Sequence, residues 1–411
     1  MRAHRDGGSG LRIVRIANFV TPASGGLRTA LRELGAGYAA AGHDPVLIVP
    51  GVGQGTSDEF TEQGRVITLP GPALPGTGGY RVLADRHRLQ CVLRRLDPDR
   101  LEVSDRTTLR WTGEWARRAR VPAVMVSHES VDGVMRTWGV PDPLARAAAD
   151  RLNSRTAHAY SRVVCTTEWA AAEFTRVGAR NVVRAPLGVD LGAWHPDCRS
   201  AELRRHCAGR AAVLMVMCSR LSPEKRPQRA LDALAELRRR GVDAALVVAG
   251  DGPLRARLEA RVRAERLPAA FLGHIADRAR LAALQASADL TLAPGPAETF
   301  GLAALEALAC GTPVVASAAS ALAGLVGSGG DTALDDGPSF ADAAQRVLAR
   351  PEPARRTAAR QRAEGYGWQP AVEAFLAAHD AYDTYDTHDA PAPSGRTVAA
   401  SEPPVHPRGG W

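Results

Sequence analysis

Two glutamates with seven residues between them, Glu298 and Glu306, bracket a glycine in the stretch GPAETFGLAALEALACGTPVVAS (295–317). Leu302, Leu305 and Ala309 recur at helical spacing, Gly311 sits where a C-terminal cap belongs, and Pro313 follows it. The pattern predicts a helix that starts near Phe300, directly after a buried strand ending at Pro294. The N–H groups of Phe300, Gly301 and Leu302 then lack intrahelical partners, and Gly301 lets a ligand approach the backbone. A strand, a glycine-bearing turn and a free helix start make an anion site suited to a diphosphate. Carboxylates would repel that diphosphate, so their chemistry must be different. Acceptor-only oxygens suit hydroxyl groups. Taken singly, Glu298 reads as a complement to the helix dipole and Glu306 as a solvated face. Flanking an anion site together, they read as ligands for a sugar and a ribose.

A second stretch, SRLSPEKRP (219–227), holds Lys225, the one lysine among 52 basic residues. Arginine offers a planar fork, whereas an ammonium is a compact charge with three rotatable donors.

These residues need strand ends to hold them. Apolar runs alternate with amphipathic stretches, the pattern of a parallel sheet flanked by helices. Strands are expected at 11–17, 45–50, 65–69, 100–104, 122–127, 162–166 and 181–185, with helices over 27–42 and 143–160. The Gly- and Pro-bearing PLGVDLGAWHPD (186–197) reads as a linker. A second series follows, with strands at 211–218, 244–250, 269–273, 288–294 and 312–317 and helices near 225–240, 254–266, 277–287 and 300–310. The fold class is α/β, with two facing Rossmann-like domains and a cleft between them. The expected divisions are a disordered 1–10, a first Rossmann-like domain at 11–190, a second at 191–369, a closing helix at 370–384 and a disordered tail at 385–411.

The Glu298 to Glu306 spacing resembles the signature of family-four retaining glycosyltransferases of the GT-B fold. SRLSPEKRP is similar to that family's strand-end loop, which implies that Arg220 and Lys225 hold the donor diphosphate. VVAGDGPLRARLE and FLGHI resemble its next two strand-end segments, placing Ile275 where backbone meets the nucleobase. SGGLRTALREL resembles the family's glycine loop, so Gly25 and Gly26 would approach the phosphate and the sugar. VSHES puts His128 at the position of a histidine near the reacting sugar. The resemblance spans roughly 11–382 and implies transfer of a hexose to a hydroxyl acceptor with retained configuration, by front-face attack. Likeness to actinobacterial mannosyltransferases makes GDP-mannose the first expectation for the sugar donor and a UDP-hexose the second. A sugar-nucleotide epimerase and a non-catalytic nucleotide-sugar-binding protein are the alternatives on this scaffold.

Composition narrows the rest. DPD (97–99) precedes a strand instead of following one, so no metal and no cofactor are expected. AGDGP (249–253) is not GxGxxG, which argues against a nicotinamide cofactor. Six scattered cysteines without a CxxC pair read as reduced thiols. No apolar run reaches membrane-span length and the opening MRAHRDGGSG lacks a secretory core, so a cytoplasmic chain is expected. Residues 1–190 carry 26 basic against 19 acidic residues. Without aromatic interleaving or a recognition-helix pattern, that excess points away from nucleic acid. It suits instead a phosphorylated or lipid-linked acceptor, with peripheral contact at the inner face of an anionic membrane. Trp111 and Trp115, at helical spacing, fit core packing, while Trp138 could line the cleft.

Overall fold

The computed structural model describes residues 10–20, 25–53, 55–74, 79–128, 130–137 and 139–380. Residues 1–9 of the disordered start expected at 1–10, residues 381–384 of the expected closing helix, the tail 385–411 and Trp138 lie outside the described residues.

The first sheet has eight strands: β1 Arg12–Ile16, β2 Asp44–Gly51, β3 Ser57–Thr61, β4 Gly64–Pro70, β5 Arg100–Val103, β6 Ala123–Ser127, β7 Arg162–Cys165 and β8 Val182–Arg184. Their order is β3-β4-β2-β1-β5-β6-β7-β8, and every pairing is parallel except β3 with β4. The second sheet has six parallel strands: β9 Val213–Cys218, β10 Ala244–Ala249, β11 Ala269–Gly273, β12 Leu290–Ala293, β13 Val314–Ser317 and β14 Gly330–Ala333. They run β11-β10-β9-β12-β13-β14, the doubly wound order with its switch point between β9 and β12. Continuous apolar runs such as VLMVMC and AALVVA are what strands covered on both faces require. Sequence reading finds neither β3 (SDEFT) nor β14 (GDTA). Both are edge strands, which pair on one side only and need no apolar pattern.

The chain crosses between the domains twice, and the two crossings lie side by side. Val189 N–H donates to the Tyr366 carbonyl at 2.8 Å. A Cβ on Gly188 would lie 2.6 Å from the Trp368 backbone, so only glycine fits there. The 186–197 stretch does join the two sheets, but it is not a loose linker: Leu187, Val189 and Trp194 are buried in a core shared by both domains. The last described helix, Trp368–Asp380, begins two residues earlier than expected and packs back onto the first domain. There Val372 fills the space over Gly37. Glu102 on β5 takes hydrogen bonds from Arg15 (2.8 Å) and Tyr38 (2.7 Å) and faces His379 at 3.3 Å, which ties that helix to the sheet. Burial alone would raise the Glu102 pKa, but Arg15 and His379 outweigh it and hold the carboxyl far below the usual range. Removing one partner from such a buried ionic cluster costs about 3–5 kcal/mol.

In open α/β sheets, ligands sit beyond the carboxyl ends of strands at the switch point. The first sheet reverses direction between β1 and β5, the second between β9 and β12. The loops after those four strands, together with those after β4, β6, β7 and β11, supply the residues of interest.

Candidate active site between the two sheets

The second domain's wall comes from the loops after β9 and β12. Past β9, a 3₁₀ turn at Pro223–Lys225 aims Lys225 at the β12 loop, and its Nζ meets Glu298 Oε2 at 2.5 Å. The Lys225 side chain is 27% exposed. Burial pulls its pKa down, but the Glu298 charge and hydrogen bond, helped by Glu224 and Tyr80, more than restore it, so the ammonium stays charged. Gly295 backs the same lysine, since a Cβ there would lie 3.3 Å from Lys225 Cα.

The helix expected from Phe300 starts at Leu302 and runs to Ala309. Gly301 is the cap residue with φ +80°, a left-handed conformation that stops the helix from reaching back to Phe300. Phe300 is therefore not part of the anion-facing turn. Its ring is buried, edge-on to Tyr366 with centroids 6.3 Å apart. The free N–H groups at the helix start are those of Leu302 and Ala303. Glu298 leans over this start, with its Cγ 3.2 Å from where a Gly301 Cβ would be.

Glu306 stands apart from that cluster. It is half-buried inside the helix, and no hydrogen bond or ion pair joins its carboxyl to another described residue. Burial pushes its pKa up to about 8, with Arg278 and Arg32 pulling the other way. Those two arginines meet Glu33 of the first domain, Arg32 at 2.5 Å and Arg278 at 3.5 Å. Ile275 lies just past β11, half-buried against the Val216 and Leu284 cluster.

The first domain's wall is assembled from distant segments. The helix Gly26–Ala40 begins at the glycine loop. A Cβ on Gly25 would meet nothing within 4 Å, and one on Gly26 only Leu302 Cδ1 at 3.7 Å. Two helix starts thus face one another across the cleft. His128, past β6, has its Nε2 3.2 Å from Ser104 Oγ at the end of β5. Burial drives the His128 pKa down to about 4; Arg15 and Arg106 add to this and Glu102 opposes it, so the imidazole is neutral at pH 7. Thr299, next to Glu298, clasps this wall through its hydroxyl to the His128 carbonyl and through its own carbonyl to Thr167 Oγ1 at 3.0 Å.

Sequence reasoning missed Tyr80. This residue of the first domain hydrogen-bonds Arg220 through its hydroxyl, and the guanidinium carbon sits 4.5 Å from its ring centroid. The face of an aromatic ring holds a guanidinium flat. Phe19, itself in a left-handed conformation at φ 60°, meets Tyr80 edge-on. The one signal available was a large amphipathic side chain ending a Pro- and Gly-rich loop (PALPGTGGY). Thr299 and Thr167 gave none. Trp111 and Trp115 pack against the first domain's core.

Chemically, the cleft gathers a fixed ammonium, a stacked guanidinium and two helix starts around open space, with carboxylates at its margins. That suits a sugar carried on a diphosphate. Among the described residues, no group of three His, Cys, Asp or Glu could hold a metal ion, and no helix is long and apolar enough to cross a membrane.

Comparison with known proteins agrees with this geometry. Residues 210–364 match the family model "Glycosyl transferases group 1" and residues 25–188 match "Glycosyl transferase 4-like domain". The chain is 50% identical over 369 residues to a "GDP-mannose-dependent alpha-(1-6)-phosphatidylinositol dimannoside mannosyltransferase" of Mycobacterium tuberculosis, covering 89% of this chain and 95% of that one. A "GDP-mannose-dependent alpha-mannosyltransferase" of Mycolicibacterium smegmatis is 30% identical over 313 residues, with 74% and 79% covered. Among solved structures, sucrose-phosphate synthase from Thermosynechococcus elongatus superposes with TM-score 0.71 at 21% identity, covering 91% and 99%. HepE from Anabaena, with UDP and glucose, gives 0.70 at 18% identity, covering 91% and 100%. These last two speak for the GT-B fold alone.

Proposed function

The chain belongs to the group 1 glycosyl transferases, and from that premise we propose that it transfers mannose from GDP-mannose to a phosphatidylinositol mannoside. That it is a nucleotide-sugar-dependent hexosyltransferase rests on both family models and on its relatives. The sugar donor and acceptor are inferred from the M. tuberculosis relative, whose printed name gives GDP-mannose and an α-(1-6) linkage to a phosphatidylinositol dimannoside. An α-linked donor that yields an α-linked product retains configuration.

The observation that carries the mechanism is Lys225 held charged beside Glu298 at a helix start, with Arg220 stacked close by. In the proposed reaction the bond from the anomeric carbon to the phosphate oxygen breaks while the acceptor oxygen approaches the same face. The departing phosphate takes the acceptor's proton, so no protein nucleophile is needed. Arg220, Lys225 and the N–H groups of Leu302 and Ala303 bind the charge that grows on the diphosphate. Each such preorganised donor is worth about 3–4 kcal/mol in the transition state. Glu298 accepts from sugar hydroxyls, and Lys225 keeps donors free for phosphate while holding that carboxylate, since an ammonium has three. Neutral His128 offers a hydrogen bond to the sugar without adding charge. Gly25 and Gly26 leave room for the sugar and phosphate. Glu306 and Ile275 take the ribose and base end.

Radiolabelled GDP-mannose incubated with the purified chain and phosphatidylinositol dimannoside in mixed micelles should give a labelled trimannosylated lipid. Linkage analysis should find the α-(1-6) anomer. Labelling from a UDP-hexose but not from GDP-mannose, or a β-linked product, would overturn the proposal. A phospholipid acceptor also gives a role to the basic excess of residues 1–190, which would draw the acceptor domain to an anionic leaflet. Salt-sensitive co-sedimentation with anionic vesicles tests that contact.

A further inference from the structure

Behind His128, five buried polar side chains meet inside the first domain: Arg106, Ser130, Asp132, Asn153 and Glu173. Ser130 Oγ is the hub. It lies 2.6 Å from Glu173 Oε1, 2.7 Å from Asp132 Oδ1 and 3.1 Å from the Gly133 N–H, which donates to it. A serine hydroxyl owns one hydrogen. With both carboxyls ionised, one of the two short O···O contacts would set lone pair against lone pair in a buried site. One carboxyl must therefore carry a proton of its own.

The surroundings decide which. Asp132 Oδ2 accepts from Arg136 at 3.0 Å and faces Arg176 at 3.8 Å, so two cations favour its charge. Arg176 is itself held by Asp150 at 2.5 Å. Glu173 Oε2 takes the longer approaches of Arg106 (3.3 Å) and Asn153 (3.2 Å), and Oε1, against Ser130 at 2.6 Å, is the oxygen placed to hold the hydrogen. Arg106 divides its contacts with Ser127, at 3.2 Å, and lies over the Phe174 ring. Cys165 on β7, another titratable neighbour among the described residues, stays a neutral thiol because burial pushes its pKa up to about 12. The titration tendencies agree. Burial raises Glu173 above the ordinary carboxylate range, while for Asp132 the hydrogen bonds and arginines outweigh burial and lower it.

The hub holds the start of the helix Val131–Thr137, and two residues before Ser130 the His128 carbonyl takes the Thr299 hydroxyl. A Cβ on Gly133 would sit 3.6 Å from Ala297 Cβ, one residue before Glu298. The same helix packs against the Pro223–Lys225 turn. We propose that a proton shared through Ser130 between Glu173 and Asp132 locks this helix start, so that Glu173, as a neutral acid, is a positioning residue for His128 and for the contact with Glu298 and Lys225. Ionising Glu173 gives Ser130 two anions to satisfy with one hydrogen, and the helix start loosens. The catalytic half of this inference rests on the proposed reading of His128; the shared proton itself does not.

The test is kcat and sugar-donor KM from about pH 5 to about pH 9 for the wild type and for Glu173→Gln, Glu173→Leu and Ser130→Ala, with thermal unfolding across the same range. Glutamine keeps an N–H for Ser130 and an oxygen for Arg106, so Glu173→Gln should hold most of the wild-type kcat and flatten its alkaline decline. Glu173→Leu and Ser130→Ala should lose about tenfold in kcat with donor KM nearly unchanged, the loss expected for one buried hydrogen-bond hub. Unfolding gives an arm that needs no activity. A carboxyl whose folded pKa is raised stabilises most below its unfolded pKa and loses that contribution as pH rises through the folded one. Wild-type stability should thus fall with pH by an increment that Glu173→Gln lacks. If Glu173→Gln is as impaired as Glu173→Leu, or keeps both pH dependences, the shared proton is refuted. If the stability increment vanishes but kcat ignores all three variants, the proton stands and the positioning of His128 falls.

Discussion

The two walls of the cleft share a strand order yet are built in opposite ways. On the second domain, the charged groups come from two short runs, 219–227 and 295–306, each following a strand that flanks the switch point. On the first domain, the facing groups come from Gly25, Gly26, Tyr80, Ser104, His128 and Thr167, scattered across more than 140 residues. On the proposed function, the difference lies in what each wall must do. A diphosphate is small and always carries the same charge, so one loop and one helix start can hold it. An acceptor face must close over the sugar, and closure is made from contacts between elements far apart in the chain.

If the second wall concentrates its chemistry as proposed, single changes there should do the most damage. Lys225→Ala should lower kcat by about 10²–10³-fold, the cost of one preorganised charge donor. The melting temperature should barely move, because a partly exposed ion pair contributes little to stability. Lys225→Arg sharpens the point. A guanidinium restores charge but not a mobile ammonium, so it should recover only part of the activity. Full recovery would mean that charge alone matters and that the single lysine carries no meaning of its own.

This contrast also explains what could be read in advance. Buried strands such as VLMVMC and AALVVA declare themselves because local pattern and local burial coincide. The helix start was misplaced by two residues, since nothing in the sequence says that Gly301 adopts φ +80° and turns Phe300 inward. Tyr80 could not be found because its partner Arg220 is 140 residues away. Edge strands β3 and β14 were invisible for a related reason. Their only requirement is a neighbour, and neighbours are a property of topology.

The first wall should yield to substitution more gradually. Tyr80→Phe keeps the ring under Arg220 and loses the hydroxyl; it should cost about threefold to tenfold in kcat/KM, the value of one hydrogen bond. Tyr80→Ala removes the stack as well and should cost a further few-fold. Steady-state kinetics with varied sugar donor measure both. A Tyr80→Ala defect as deep as that of Lys225→Ala would erase the distinction between the walls and move Tyr80 into the diphosphate site proper.

The smallest expected effect concerns the end of the second wall that lacks a charge partner. Burial holds Glu306 near pKa 8, so at pH 7 it is mostly the neutral acid, with roughly one molecule in ten ionised. A carboxylate accepts two ribose O–H bonds where the acid accepts fewer. If the ribose binds the ionised form, the sugar donor must expel that proton at pH 7, and its KM should fall by up to about tenfold as pH climbs past 8. In the unliganded protein the sign is reversed. The folded pKa lies above the unfolded one, so the contribution of Glu306 to stability is greatest below the ordinary carboxylate range and is lost as pH rises through about 8. Binding should therefore improve over the same interval in which the empty protein weakens. Glu306→Gln should remove both trends and hold the sugar donor less tightly at high pH. A KM that rises through pH 8 would instead make the neutral acid the ribose ligand, donating its O–H. A flat KM alongside the expected stability loss would take Glu306 out of the ribose pocket and leave Glu298, beside Lys225, as the one carboxylate of a shorter site.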